Sequence, residues 1–106
     1  PWCRPAWHLY SVLIDFETVG LSRGQVARAL EERGIRSQVH YIPVHRQPYY
    51  RTRYDAQSLP GADAYYRRTL SLPLFVGMTD ADSDRVAAAL ADILGVASQT
   101  ARRKQR

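Results

Sequence analysis

Three residue types occur only once in this 106-residue chain: cysteine at Cys3, methionine at Met78 and lysine at Lys104. With a single cysteine, no disulfide within the chain and no paired-thiol metal site can form, and a reducing cytoplasm is the expected setting. Nothing near Cys3 in sequence marks it as an activated nucleophile, so it reads as an incidental terminal residue. Met78 lies deep in the sequence, so the chain is expected to be part of a longer protein. Schiff-base chemistry needs an amine that loses its proton in a desolvated pocket, and Lys104, inside a basic terminus, has none. No apolar run approaches the roughly 20 residues of a membrane helix. Pro1-Trp2-Cys3-Arg4 also lacks the apolar core of a signal peptide, so no membrane partner is expected.

What is present is ordinary globular composition: 45% hydrophobic and 24% charged residues, enough for one core. The formal charge of +5 invites a nucleic-acid reading. Its placement argues against one, because Arg102, Arg103, Lys104 and Arg106 supply nearly all of it and leave the body close to neutral. A folded domain over residues 1–97 followed by a basic, disordered tail over 98–106 is therefore expected.

Residues Trp7 to Phe16, rich in Leu, Val, Ile and aromatics, read as a buried strand. Ser22 and Gln25 form a capping box, with Leu21 placed to staple onto Val26, and Gly34 ends the helix that follows. Ile35 to Tyr41 reads as a second strand, after which Pro43 and Pro48 end the sheet. The long connection 42–60 is expected to hold one helical turn near Tyr49 to Arg53. A helix over Gly61 to Thr69 leads into a third strand, Leu70 to Phe75, with Pro73 marking an edge or an early end. Thr79 and Asp82 then cap a last helix that carries Val86, Leu90, Ile93 and Leu94 up to Gly95. Asp80, Asp82 and Asp84 are helix-start chemistry rather than metal ligands. The sum is an α+β fold: a small antiparallel sheet of about three strands with helices packed on one face.

Functional side chains concentrate in His40-Tyr41-Ile42-Pro43-Val44-His45-Arg46-Gln47-Pro48-Tyr49-Tyr50. Prolines at both shoulders lower the entropy lost when the loop orders, which suits recognition. His40 and His45 have no third ligand nearby for a metal, and Ser37 has no Gly-flanked elbow to make it a nucleophile. Polar binding of a ligand or partner is what remains, against simple packing onto a neighbouring domain or subunit.

These residues carry a resemblance. Trp7-His8-Leu9-Tyr10, Gly34-Ile35, the His40 to Tyr50 segment, Leu59-Pro60, Ala64-Tyr65-Tyr66, Leu70-Ser71-Leu72-Pro73-Leu74-Phe75 and Met78-Thr79-Asp80 form an ordered series over nearly the whole chain. The series resembles the C-terminal part of the DegT-like (DegT/DnrJ/StrS) sugar aminotransferases, departing from them at Val76, where proline is common. The resemblance implies the small C-terminal domain of the aspartate-aminotransferase fold, in an enzyme dependent on pyridoxal 5'-phosphate. That enzyme would move an amino group, usually from glutamate, to the 4-keto carbon of a nucleotide-linked deoxysugar. It further implies that the cofactor lysine lies in a large domain of the same protein, that the full enzyme is a homodimer, and that this chain alone is inactive. His40, Tyr41, His45 and Tyr50 are then the expected substrate-binding residues, none of them catalytic. Two other readings stand beside it: a basic nucleic-acid-binding module and a stand-alone dimerisation module.

Overall fold

The computed structural model describes residues 2–55 and 57–96. The expected basic tail lies outside the described residues. The chain runs β1 (Tyr10–Leu13), α1 (Phe16–Val19), α2 (Arg23–Glu32), a single 3-10 turn (Val44–Arg46), α3 (Pro48–Arg53), α4 (Pro60–Arg68), β2 (Thr69–Leu72) and α5 (Asp80–Ile93). β1 and β2 pair antiparallel, with Tyr10 opposite Leu72, Ser11 opposite Ser71, Val12 opposite Leu70 and Leu13 opposite Thr69.

Side chains alternate across a strand, and directly paired residues share a face. Val12, Leu70 and Leu72 therefore look to one side, where they meet Val26 and Leu30 of α2 and Val86 and Ala89 of α5. Val26, Leu30 and Leu70 are fully buried, and Ile14 and Ile35 close the cluster at its ends. Full burial of each such side chain contributes about 1.5–3 kcal/mol. The other face carries Ser11 and Ser71, and α4 brings Tyr65 to it. There the Thr69 and then the Ser11 hydroxyls hold the Tyr65 phenol below its usual titration range.

The two main helices start and stop as local chemistry dictates. Ser22 accepts from the Gln25 amide while Gln25 caps the Ser22 amide, and Thr79 with Asp82 repeats the arrangement on α5. At the end of α2, Gly34 takes φ +74°, a left-handed conformation glycine adopts without steric cost. Its amide bonds the Glu31 carbonyl and the next amide, of Ile35, bonds that of Leu30, which closes the helix and turns Ile35 inward. Two side chains then tie the helices together: Arg33 pairs with Asp92 at 2.7 Å, and Arg85 donates to the Arg33 carbonyl at 2.6 Å.

Three differences from the sequence expectation follow from geometry. The first strand stops at Leu13, because the Asp15 carboxylate accepts from the Thr18 amide at 3.2 Å and starts the short α1. Segment 35–41 is not a continuous strand: it touches β2 through one bridge, Gln38 to Ser71, with amide–carbonyl distances of 3.0 and 2.7 Å. The strand after α4 is four residues, Thr69–Leu72, ending just before Pro73. The fold class is α+β as expected, built on two strands and a bridged edge rather than three full strands.

The Asp82 cap gives α5 an acid-sensitive start. The Thr79 backbone amide, and then its hydroxyl, hold the Asp82 carboxyl below the ordinary carboxylate range. A lowered folded value means that the stabilisation is complete above the unfolded value of about 3.9 and is lost as the pH falls through the folded one. Urea unfolding midpoints are expected to fall more steeply on acidification between about pH 5 and pH 2 in the parent chain than in Asp82→Asn. Equal slopes would show that the cap does not titrate with folding.

Candidate functional site

The site is the stretch that leaves the sheet edge and crosses to α3 and α4. The Gln38–Ser71 bridge fixes its beginning. With Ile35 turned into the core, alternation places Arg36, Gln38 and His40 on the face of Ser71 and Ser11. The contacts agree: His40 Nδ1 lies 2.9 Å from Ser71 Oγ, and Ser71 Oγ lies 3.0 Å from Ser11 Oγ. Ser71 is buried. The His40 ring is thus held from beneath, and Tyr41 packs edge-on against it with centroids 4.6 Å apart. Tyr41 itself is 69% exposed.

Pro43 then turns the chain. The Arg46 amide bonds the Pro43 carbonyl at 2.8 Å, and the Gln47 side-chain amide reaches back to the Ile42 carbonyl at 3.1 Å. Pro48 occupies the first turn of α3, where a missing amide costs nothing. This closed turn drives the His45 side chain inward to 8% exposure, where Nε2 sits 3.2 Å from Asp63 Oδ1 of α4. Arg46 Nε lies 2.7 Å from the same oxygen. Neither contact has the alignment of a full hydrogen bond, since Oδ1 and the imidazole Nε2 are both buried without one. Asp63 therefore acts on Arg46 through charge and lies against the His45 ring. Tyr50 stacks on Tyr54 at 6.2 Å with planes 16° apart and takes Tyr49 edge-on at 5.1 Å.

The four residues singled out from the sequence fall into separate places. His45 and Tyr50 line one concavity of ≈ 280 Å³ with Val44 and Tyr54. His45 also borders a second, of ≈ 410 Å³, with Arg46, Arg51 and Asp63. His40 lines a third, of ≈ 330 Å³, beside β2. Two participants were not found from sequence. Asp63 gives no local signal beyond being an acid in the first turn of a helix, which is common dipole chemistry. Ser71 had a signal, as the one polar residue between Leu70 and Leu72 in an apolar strand.

Large apolar side chains are exposed along this stretch, Tyr41, Ile42, Val44, Tyr49 and Tyr54, and elsewhere at Trp7, Phe75 and the fully exposed Val76. Among the described residues no helix is long and apolar enough to cross a membrane, and no three metal-ligating side chains converge.

The described fold is a small α+β layer with a proline-braced loop at its sheet edge. A profile of the DegT/DnrJ/EryC1/StrS aminotransferase family matches residues 2–91, and the chain belongs to that family. Among solved structures, it is similar to PseC of Helicobacter pylori, an aminotransferase involved in the biosynthesis of pseudoaminic acid. The TM-score is 0.74 at 24% identity, over 83% of this chain and 24% of that one. The aminotransferase TlmJ of Streptoalloteichus hindustanus matches with TM-score 0.68 and 31% identity, over 82% of this chain and 22% of that one. Spr1654 of Streptococcus pneumoniae, a proposed sugar aminotransferase, matches with TM-score 0.70 and 23% identity, over 93% and 24%. The chain spans about a quarter of the length of these relatives.

Proposed function

We propose that this chain is the small C-terminal domain of a pyridoxal-phosphate-dependent aminotransferase that transfers an amino group from glutamate to the 4-keto carbon of a nucleotide-linked deoxysugar. The observation that carries this reading is the family match over residues 2–91, which includes the whole His40 to Tyr50 loop. The described residues do not fit pyridoxal phosphate by themselves, because they contain no lysine to hold it. In this reading the cofactor is bound by a large domain of the same protein, and the present chain is inactive alone. The exposed Trp, Tyr and Phe side chains support it, since apolar patches of this kind mark surfaces that another body covers.

The role of the chain is then recognition and closure over the sugar nucleotide. His45, beside Asp63, and Tyr50 are offered from one concavity, His40 from another beside β2, and Tyr41 from the exposed surface against the His40 ring. The full enzyme is a cytoplasmic homodimer in this reading. The motif series supports a UDP-linked sugar of the kind handled in pseudaminic acid synthesis.

The test compares two preparations. The full-length protein is expected to take up pyridoxal phosphate, seen by its absorbance, and to aminate a UDP-4-keto sugar only when glutamate is supplied. The present chain alone is expected to do neither. Cofactor uptake without any amination across keto-sugar nucleotides would overturn the assignment. A basic nucleic-acid-binding module predicts instead salt-sensitive binding of single strands by the folded body.

A further inference from the structure

We propose that Arg36, His8 and His40 form an oxyanion-binding site on the polar face of the sheet, beside β2 and apart from the concavity that His45 and Tyr50 share. Its candidate ligands rest on the aminotransferase reading above. Arg36, Gln38, His40 and Ser71 line a concavity of ≈ 330 Å³, with His8 entering from the segment ahead of β1. No carboxylate lines it, and Asp82, in the second concavity that Arg36 borders, has Oδ2 engaged by the Thr79 amide and hydroxyl. Among the described residues Arg36 has no ion-pair partner.

The wall is built rather than incidental. Ser71 is only 4% exposed and carries two contacts at once, to His40 Nδ1 at 2.9 Å and to Ser11 Oγ at 3.0 Å. The Gln38–Ser71 bridge holds the backbone between Arg36 and His40 in register with β2, so both side chains leave the same face two residues either side of the bridge. One imidazole nitrogen of His40 is thereby occupied by the sheet, which leaves the other for a ligand in the concavity that the residue lines. A planar guanidinium beside imidazole N–H groups in a half-open concavity is chemistry that binds phosphate or carboxylate through charge-assisted hydrogen bonds. Two sources carry that chemistry here: the diphosphate of a sugar nucleotide and the carboxylate of an amino-acid donor.

Calorimetric titration of the full-length protein with UDP and, separately, with L-glutamate distinguishes them. Arg36→Gln, an exposed change, is expected to weaken one of the two about tenfold, the loss of one charge-assisted hydrogen bond. His8→Gln is expected to weaken the same ligand, and Arg36→Lys to recover part of the loss. Selective loss of UDP assigns the site to phosphate, and selective loss of glutamate assigns it to the donor carboxylate. Unchanged affinity for both in Arg36→Gln, with far-UV circular dichroism matching the parent, overturns the site. The two proposals fail separately: a protein that aminates normally as Arg36→Gln rejects only the site. A protein that binds UDP through Arg36 but aminates nothing rejects only the activity.

Discussion

Leu70→Ala is expected to lower stability by about 2–5 kcal/mol, a large part of the roughly 5–15 kcal/mol that holds a domain of this size. Leu70 has no exposed surface, and it lies where the sheet meets both main helices, sharing its cluster with Val26, Leu30, Val86 and Ala89. Truncation removes its transfer free energy and leaves a cavity that two strands and two capped helices cannot collapse to fill. The loss should appear as a lowered urea midpoint with little change in slope, read by far-UV circular dichroism. Arg28→Ala, an exposed position on α2, should stay within about 0.5 kcal/mol of the parent. A Leu70→Ala midpoint equal to that of Arg28→Ala would mean that the sheet is not a packed core.

Asp63→Ala acts on function more than on stability. Its carboxylate is the shared partner of His45 and Arg46, and no other described carboxylate pairs with either. Without it the turn 44–46 keeps its backbone bonds but loses the carboxylate that both side chains meet on α4. Displacing a binding group by about 1 Å costs on the order of 100-fold in rate, so under the proposed function kcat/KM of the full-length protein for a keto-sugar nucleotide should fall about that far. Asp63→Asn keeps the shape and removes the charge, and it is expected to fall nearly as low. Parent-like kcat/KM in Asp63→Asn would show that His45 and Arg46 are held by packing alone.

The difference between these two residues also explains what was legible in the sequence. Helix starts are local: Ser22 with Gln25 and Thr79 with Asp82 satisfy one another within four residues, and both capping boxes form as read. Gly34 is local too, and so are the buried positions Val26, Leu30 and Val86 that follow helical spacing. Strand length is not local. Ile35 to Tyr41 has a strand's apolar content, but a segment becomes a strand only where a partner runs beside it, and β2 offers it one bridged pair at Ser71. The short α1 was missed because Phe16 continues the apolar run, although Asp15 three residues before Thr18 was a readable cap. Within the candidate site, the His40 to Tyr50 loop stood out by composition. Asp63 did not, because its meaning depends on α4 folding back across 18 residues of chain to reach His45.

That return has an evolutionary consequence. The segment from Tyr54 to Leu59 joins two anchored ends, α3 and α4, and the fixed points on either side belong to other contacts: Gln47 to Ile42 before it, and the Ile14 amide to the Arg68 carbonyl after it. Doubling a flexible loop's length adds only about 0.6 kcal/mol of closure cost. Changes of length there therefore carry little closure cost for the sheet and the core. Descendants of this domain can remodel the rim next to Tyr50 and Tyr54 while the scaffold underneath stays unchanged.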